Sequence, residues 1–293
     1  WNNIGRIITE SEGLSEMLAN TEISVTENIY TAGGAKPNYI TLTHDDKIDH
    51  SPRLVSNGEK ALLVWSKSEE LGLFGTGESP AVPGDCFYFS TWNEGTWSTA
   101  EMIPVDPATI LDSYLVMEGD NALLLYTVDM GNDFSTGEDR EVFAIVYDGS
   151  TWGEPIRLTD NLMIDYSPKA VWANGDWFIT WIQAGKLVYQ IGLDGVTREG
   201  EWLENIQSDY QITVNEGSRP LVALVYTQLG KDNALDIYGS FYDFNHGKWS
   251  DKKELKGGNS YTQNMSSAFT SDGKLLVAYT QADIITEAKP YMI

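Results

Sequence analysis

Five short junctions in this chain repeat one kind of chemistry. They read Asp49-His50-Ser51, Asp112-Ser113-Tyr114, Asp165-Tyr166-Ser167, Asp209-Tyr210-Gln211 and Ser260-Tyr261-Thr262-Gln263. Carboxylates accept hydrogen bonds from sugar hydroxyls, and aromatic faces stack on sugar rings. Asp49, His50, Asp112, Tyr114, Asp165, Tyr166, Asp209, Tyr210 and Tyr261 therefore form a candidate ligand site, suited to a glycan or to a protein surface. A ring of carboxylates could also hold a cation. Two carboxylates about 5 Å or about 6.5–9.5 Å apart could hydrolyse a glycosidic bond. The structural alternative is that Asp and Ser cap the turn into the next strand by bonding backbone amides. A residue that recurs in a repeat usually serves the repeat. With no accompanying motif, no residue is assigned to catalysis.

Two long loops offer a second set. Residues 66–85 and 129–141 far exceed the Gln183-Ala184-Gly185 turn that stands at the same place in another repeat, and long loops in compact domains commonly carry function. The 129–141 loop is rich in oxygen ligands: Asp129, Asp133 and Asp139, with Asn132 and Glu138 between them. It could bind calcium, the one cofactor the sequence suggests, although EF-hand spacing is missing and a solvated loop is the plainer reading. His44, His50 and His246 are scattered, and no Ser or Cys nucleophile is expected beside them. Gly33-Gly34 and Gly257-Gly258 do not make a phosphate loop.

The elements that position these residues show in a repeated apolar run closed by an aromatic side chain. It occurs at Ala61–Trp65, Ala122–Tyr126, Trp177–Trp181, Val222–Tyr226 and Leu275–Tyr279. Each run is too short for an ordinary helix and rich in strand formers, so it predicts a buried strand. Each is preceded by a second strand and followed by a third and fourth, with turn residues between, except that the last run is followed only by a strand near 290–293. Trp97, Trp152, Trp202 and Trp249 open the fourth strand at intervals of about 50 residues, the unit of a four-stranded propeller blade. Packing between neighbouring blades is the expected role of these tryptophans. We label the strands of a blade a to d. The junctions above are then the d-to-a connections, and they share one face with the b-to-c loops.

The predicted fold is an all-β propeller of four-stranded antiparallel blades spanning 1–293 as one domain. Regular blades occupy 47–110, 111–162, 163–205 and 206–259. A last blade at 260–293 is completed by 1–11, where Trp1 would open its missing strand d and close the ring. Residues 1–46 add the ring-closing strand and an irregular blade. Six blades, one of them irregular, are favoured; five with an N-terminal extension is the alternative. Few windows carry helical periodicity, and 11–20 is the best of them.

Composition excludes several classes of partner. The net charge is −24 and the pI about 4.3, which disfavours nucleic acid and anionic membranes, both of which need Lys and Arg. The single Cys86 rules out an internal disulfide framework and zinc-type spacing. No apolar span is long enough to insert in a membrane. A chain that starts at Trp1 reads as part of a larger, multidomain, secreted or cell-surface protein.

The hairpins YDGSTWGEP at 147–155, NEGTWS at 93–98 and FNHGKWS at 244–250, with SPRLV at 51–55 and SPKAV at 167–171, resemble the c–d hairpins and strand a starts of bacterial secreted propellers. The group is the sialidase-like and fucose-lectin-like one. The resemblance spans most of 47–293 and implies architecture more than activity. The sialidase Asp-box separates its Asp and Gly by one residue, whereas Asp148 and Gly149 are adjacent. Sialidases also hold a carboxylate with three arginines. Arg6, Arg53, Arg140, Arg157, Arg198 and Arg219 do not take matching inward positions, so that site is not carried over. The function expected is non-catalytic recognition of a glycan or protein; a glycoside hydrolase using the Asp ring and a structural spacer are the alternatives.

Overall fold

The structure, a computed structural model of the chain, describes residues 24–27, 38–68, 84–131, 136–204, 206–215, 220–229, 234–256 and 260–283. The expected N-terminal closing strand, the helical periodicity of 11–20 and a last strand near 290–293 lie outside these residues. Among the described residues every regular element is a strand. The chain divides into two compact units, Trp1–Leu162 and Met163–Ile293.

In the first unit, β1 (Ser24–Glu27) and β2 (Asn38–Thr41) form a separate antiparallel pair. The first blade follows: β3 (Ile48–Ser56), β4 (Ala61–Ser68), β5 (Asp85–Asn93), and an outer edge split into β6 (Thr96–Trp97) and β7 (Glu101–Met102). The next is β8 (Thr109–Glu118), β9 (Asn121–Asp129), β10 (Arg140–Tyr147) and β11 (Ile156–Arg157), hydrogen-bonded in that order.

In the second unit, β12 (Asp165–Ala173), β13 (Asp176–Gln183), β14 (Lys186–Ile191) and β15 (Arg198–Glu204) make one four-stranded blade. The following blade has β16 (Ile206–Asn215), β17 (Leu221–Leu229) and β18 (Leu235–Asp243), with β19 (Lys248–Trp249) and β20 (Lys253–Lys256) both pairing β18. Last come β21 (Ser260–Phe269) and β22 (Leu275–Asp283), an antiparallel pair.

All five apolar-aromatic runs lie in second strands: β4, β9, β13, β17 and β22. A strand buried on both faces needs an unbroken apolar run, and the side chains of β4 from Leu62 to Lys67 are all buried. Alternation then sends successive residues into different cores. Leu62 and Val64 join Leu124, Tyr126 and Trp152, while Leu63 and Trp65 pack with Tyr88 and Trp97. Tight hairpins fix the registers. Ala173 pairs with Asp176 across Asn174-Gly175, both residues at positive φ (54° and 86°), the backbone that a two-residue turn matched to strand twist requires.

Two of the strand d tryptophans, Trp152 and Trp249, pack against the preceding blade. Trp152 meets Phe89 edge-on at 5.8 Å. Trp249 does the same to Phe178 and Tyr189, both at 5.8 Å. Edge-to-face aromatic pairs of this kind add about 0.5–1.5 kcal/mol beyond burial.

Candidate functional site

The start of strand a repeats one bulge. In β3, Ser51 and Pro52 stand opposite Trp65 alone, between the pairs His50–Ser66 and Arg53–Val64. In β12, Ser167 and Pro168 stand opposite Trp181, between Tyr166–Ile182 and Lys169–Thr180. Ser51 and Ser167 have φ of 53°, the left-handed backbone of a G1-type two-for-one bulge, which turns the strand locally. The preceding Asp is thereby aimed inward. Asp49 Oδ1 accepts the Trp65 indole N–H at 2.7 Å, and Asp165 Oδ1 accepts that of Trp181 at 3.0 Å. All four side chains are buried. Gln183 Nε2 also donates to Asp165, at 2.9 Å.

These two carboxylates are thus committed to the interior rather than to the cap of a turn. Asp112 is out of step with them. Asp49 and Asp165 pair with the residue two past the strand b aromatic, Lys67 and Gln183, whereas Asp112 pairs with Thr127, one past Tyr126. A one-residue slip puts a side chain on the other face of a sheet. Tyr210 is fully buried. Its hydroxyl donates to the Ser167 carbonyl at 2.6 Å and lies 3.1 Å from Thr180 Oγ1, so its ring has no open face to offer a sugar. Tyr114 and Tyr166 are half-buried, and burial raises the pKa of both. Asp209 and Tyr261 lie on β16 and β21; their side chains are outside the described residues.

His50 lies in a polar cluster in the first unit. Its Nε2 is 3.0 Å from Ser68 Oγ and 3.5 Å from Asp85 Oδ1, and its Nδ1 is 3.1 Å from Ser51 Oγ. The Ser68 hydroxyl donates to Asp85. A serine is therefore near a histidine, contrary to the expectation from sequence, but the order is not that of an acyl-transfer triad. There the carboxylate holds Nδ1 and the imidazole accepts the serine proton. Here that proton goes to Asp85, so Nε2 must carry the hydrogen it shares with Ser68. His50 and Asp85 keep 36% and 18% of their side chains exposed. The cluster presents imidazole, hydroxyl and carboxylate together where strand a begins and the b-to-c connection leaves.

Beside it, Lys67 is buried between Asp45 and Asp49, with its Nζ 3.5 Å from Asp49 Oδ1 and 4.6 Å from the centre of the Tyr88 ring. Burial works against the charge on Asp45. The hydrogen bonds from Lys67 and from the Lys47 backbone outweigh it and hold the carboxyl below its ordinary value. Lys67, Ser68 and Asp85 were not named individually from sequence, but all three fall within the long segment 66–85, whose two ends are strand rather than loop. Lys67 and Ser68 close strand b just past its aromatic, where an apolar reading of the strand stops too early. In the next blade Glu141 is buried and accepts from Asn161 N at 3.0 Å and Arg157 Nη2 at 3.2 Å, which makes it a structural anchor.

Of the expected calcium ligands, Asp133 and Asn132 lie outside the described residues. Asp129 and Asp139 come together at the β9–β10 end, and no group of three His, Cys, Asp or Glu side chains suited to a metal is found among the described residues. A cleft of about 640 Å³ in the second unit is lined by Tyr189, Glu199, Lys248, Trp249, Ser250 and Asp251; none of the d-to-a residues reaches it.

No family model matches the chain, and no curated protein matches it in sequence. Solved structures do resemble it. The NanB sialidase of Streptococcus pneumoniae is 11% identical over 79% of this chain and 56% of its own, with a TM-score of 0.52. A polysaccharide lyase of family PL25, an ulvan lyase, is 12% identical over 78% of this chain and 63% of its own, with a TM-score of 0.51. A Trypanosoma rangeli sialidase is 11% identical over 89% and 46%, with a TM-score of 0.47. The chain thus spans about half to three-fifths of the length of these structures. At this identity the likeness shows the fold: an all-β propeller of antiparallel, four-stranded blades.

Proposed function

We propose that this chain is a carbohydrate-recognition propeller, part of a larger secreted or cell-surface protein, and that its ligand contacts lie at His50, Ser68 and Asp85. The observation that carries this reading is the half-exposed cluster of those three side chains. It offers donors and acceptors suited to sugar hydroxyls, at the face where binding residues of such scaffolds gather. Two of the structures it resembles in fold are by name a sialidase and a polysaccharide lyase, which favours a glycan over a protein as ligand.

The same likeness keeps a glycoside hydrolase as the second reading. It requires two free carboxylates facing a glycosidic bond. Asp49 and Asp165 are buried against indoles and Asp112 is out of register, which supports recognition over hydrolysis by an Asp ring. A glycan array probed with the intact chain tests both. Binding should appear and weaken in His50→Ala and Asp85→Asn. A silent array with an intact fold would sink recognition. Turnover of an aryl glycoside, lost on changing Asp112 to Asn, would favour the enzyme instead.

A further inference from the structure

β9 ends on Asp129, whose side chain is fully buried. Among the described residues neither of its carboxylate oxygens has a hydrogen-bond partner. An ionised carboxylate in that state is costly unless a counter-charge or several donors compensate it. Arg140 stands opposite Asp129 in the β9–β10 ladder, yet its Nε also lacks an acceptor. A guanidinium laid against Asp129 would satisfy both, yet among the described residues Arg140 Nε and the two Asp129 oxygens are left unpaired.

A second carboxylate converges on the same place. Asp139 Oδ2 lies where a side chain on Gly131 would begin, and Asp129 Oδ1 is 3.6 Å from that point. Glycine at 131 thus makes room for the Asp139 carboxylate and lets it approach Asp129. The turn around it is tied by Met130 N to Asp139 O at 3.1 Å and by Thr136 Oγ1 to Asp139 Oδ1 at 3.1 Å.

We propose that Asp129 and Asp139 hold a calcium ion beside Gly131. Carboxylates, main-chain carbonyls and water are the ligands calcium prefers, and a chain of net charge −24 concentrates cations at its surface. Two carboxylates place the affinity in the range of extracellular modules, a Kd on the order of 10⁻⁴–10⁻³ M. The site is independent of the glycan reading.

The test uses the full chain stripped with EDTA and then titrated with CaCl₂, followed by calorimetry and thermal melting. One saturable site and a rise in Tm are expected. Both should be lost in Asp129→Asn and in Gly131→Ala, whose methyl group displaces the Asp139 carboxylate without removing a charge. Without calcium, Asp129→Asn should melt above the natural chain, because a buried charge has gone. The proposal is overturned if the natural chain shows no calcium-dependent shift. It is also overturned if Asp129→Asn keeps the whole shift, or if MgCl₂ raises natural and variant chains alike. Should Asp129→Asn fail to fold, Asp139→Asn and Gly131→Ala decide, and retention of the shift in both overturns it.

Discussion

The buried Asp165–Trp181 pair yields a sharp energetic prediction. Asp165→Leu leaves two donors, the indole N–H and the Gln183 amide, which bond to the carboxylate at 3.0 and 2.9 Å. An unsatisfied buried group costs about 1–3 kcal/mol, so a loss of about 2–5 kcal/mol is expected. Trp181→Phe takes the indole donor away from a fully buried carboxylate. A hydrogen bond to a charged group contributes about 1.5–3 kcal/mol, and the smaller ring adds a packing loss. The double variant replaces both partners with apolar groups, which can be nearly neutral as far as the bond is concerned. It should therefore be less destabilised than the sum of the singles by about 1–3 kcal/mol. Urea midpoints followed by far-UV circular dichroism measure this, with each unit's transition treated separately if two appear. Additivity within about 0.5 kcal/mol would refute the claim that the carboxylate exists to receive the indole. The first blade supplies a graded control. Asp49 faces Lys67 as well as Trp65, so Asp49→Leu also strips a buried ammonium of one partner and should cost more than Asp165→Leu.

Two tyrosines should respond with opposite sign. Tyr210→Phe loses the bond to the Ser167 carbonyl and the contact with Thr180 and should cost about 0.5–1.5 kcal/mol for each. Tyr226 is buried with no partner for its hydroxyl, so Tyr226→Phe should leave stability unchanged or raise it by about 1 kcal/mol; a clear loss in thermal melts would contradict the assignment. Burial pushes the Tyr226 pKa up from 10.0 to about 12. The native state thus keeps its proton longer than the unfolded chain, and this contribution is intact below pH 10.0 and lost as pH rises through about 12. Tyr226→Phe should remove that part of the alkaline loss. At the c–d hairpin, the Thr151 N–H and the Ser150 hydroxyl and N–H hold Asp148 down to about 2. The pKa is depressed, so the clamp is complete above 3.8 and released as pH falls through about 2. Amide shifts of Ser150 and Thr151 should titrate there, and a midpoint near 3.8 would show the carboxylate to be free.

The repeat was legible because its physics is written in one type of residue. A strand buried on both faces must be apolar throughout, and ALLLY at 122–126 or VALVY at 222–226 can hardly be anything else. The hairpin turns were legible for the same reason, since positive φ restricts the residues that can make them. The d-to-a carboxylates were legible as a set but not in position, because strand a reaches its partner through bulges of different size. Two residues oppose one in β3, β12 and β21, three oppose one in β16, and β8 carries a single extra residue. Counting along the sequence therefore aligns Asp112 with Asp165, and the ladder does not. One signal could have separated them. Asp49 and Asp165 are followed at the same interval of 16 by a tryptophan. Of the three strands b that end in tyrosine, two have Ile110 and Ile206 opposite the corresponding sites, Val128 and Gln228, and the third has Thr262 opposite Gln281. An indole brings an N–H that must find an acceptor when buried, and the acceptor is supplied only where the indole is.

That coupling bears on where function resides. A residue that recurs because the frame needs it is a poor candidate for chemistry, and Asp49 and Asp165 recur with their tryptophans. The informative residues are those that sit on the repeated frame without being repeated. Ser68 pairs with Asp85 in the first blade. In the blade of β12 to β15 the strands meet instead at Gln183 and Lys186, closed by Ala184 and Gly185, and Tyr166 takes the place of His50. The frame is satisfied equally well by either arrangement, so the hydroxyl, imidazole and carboxylate of the first blade are not explained by folding. Asp129 and Asp139 stand at the same strand end of the next blade, where Asp129 is buried without a partner at a cost that folding alone would select against. Both clusters lie in the first unit and both end a strand b. If they are functional, substitutions there should change ligand or calcium binding while leaving the Asp–Trp coupling energy untouched. If they are structural, the two kinds of measurement should move together.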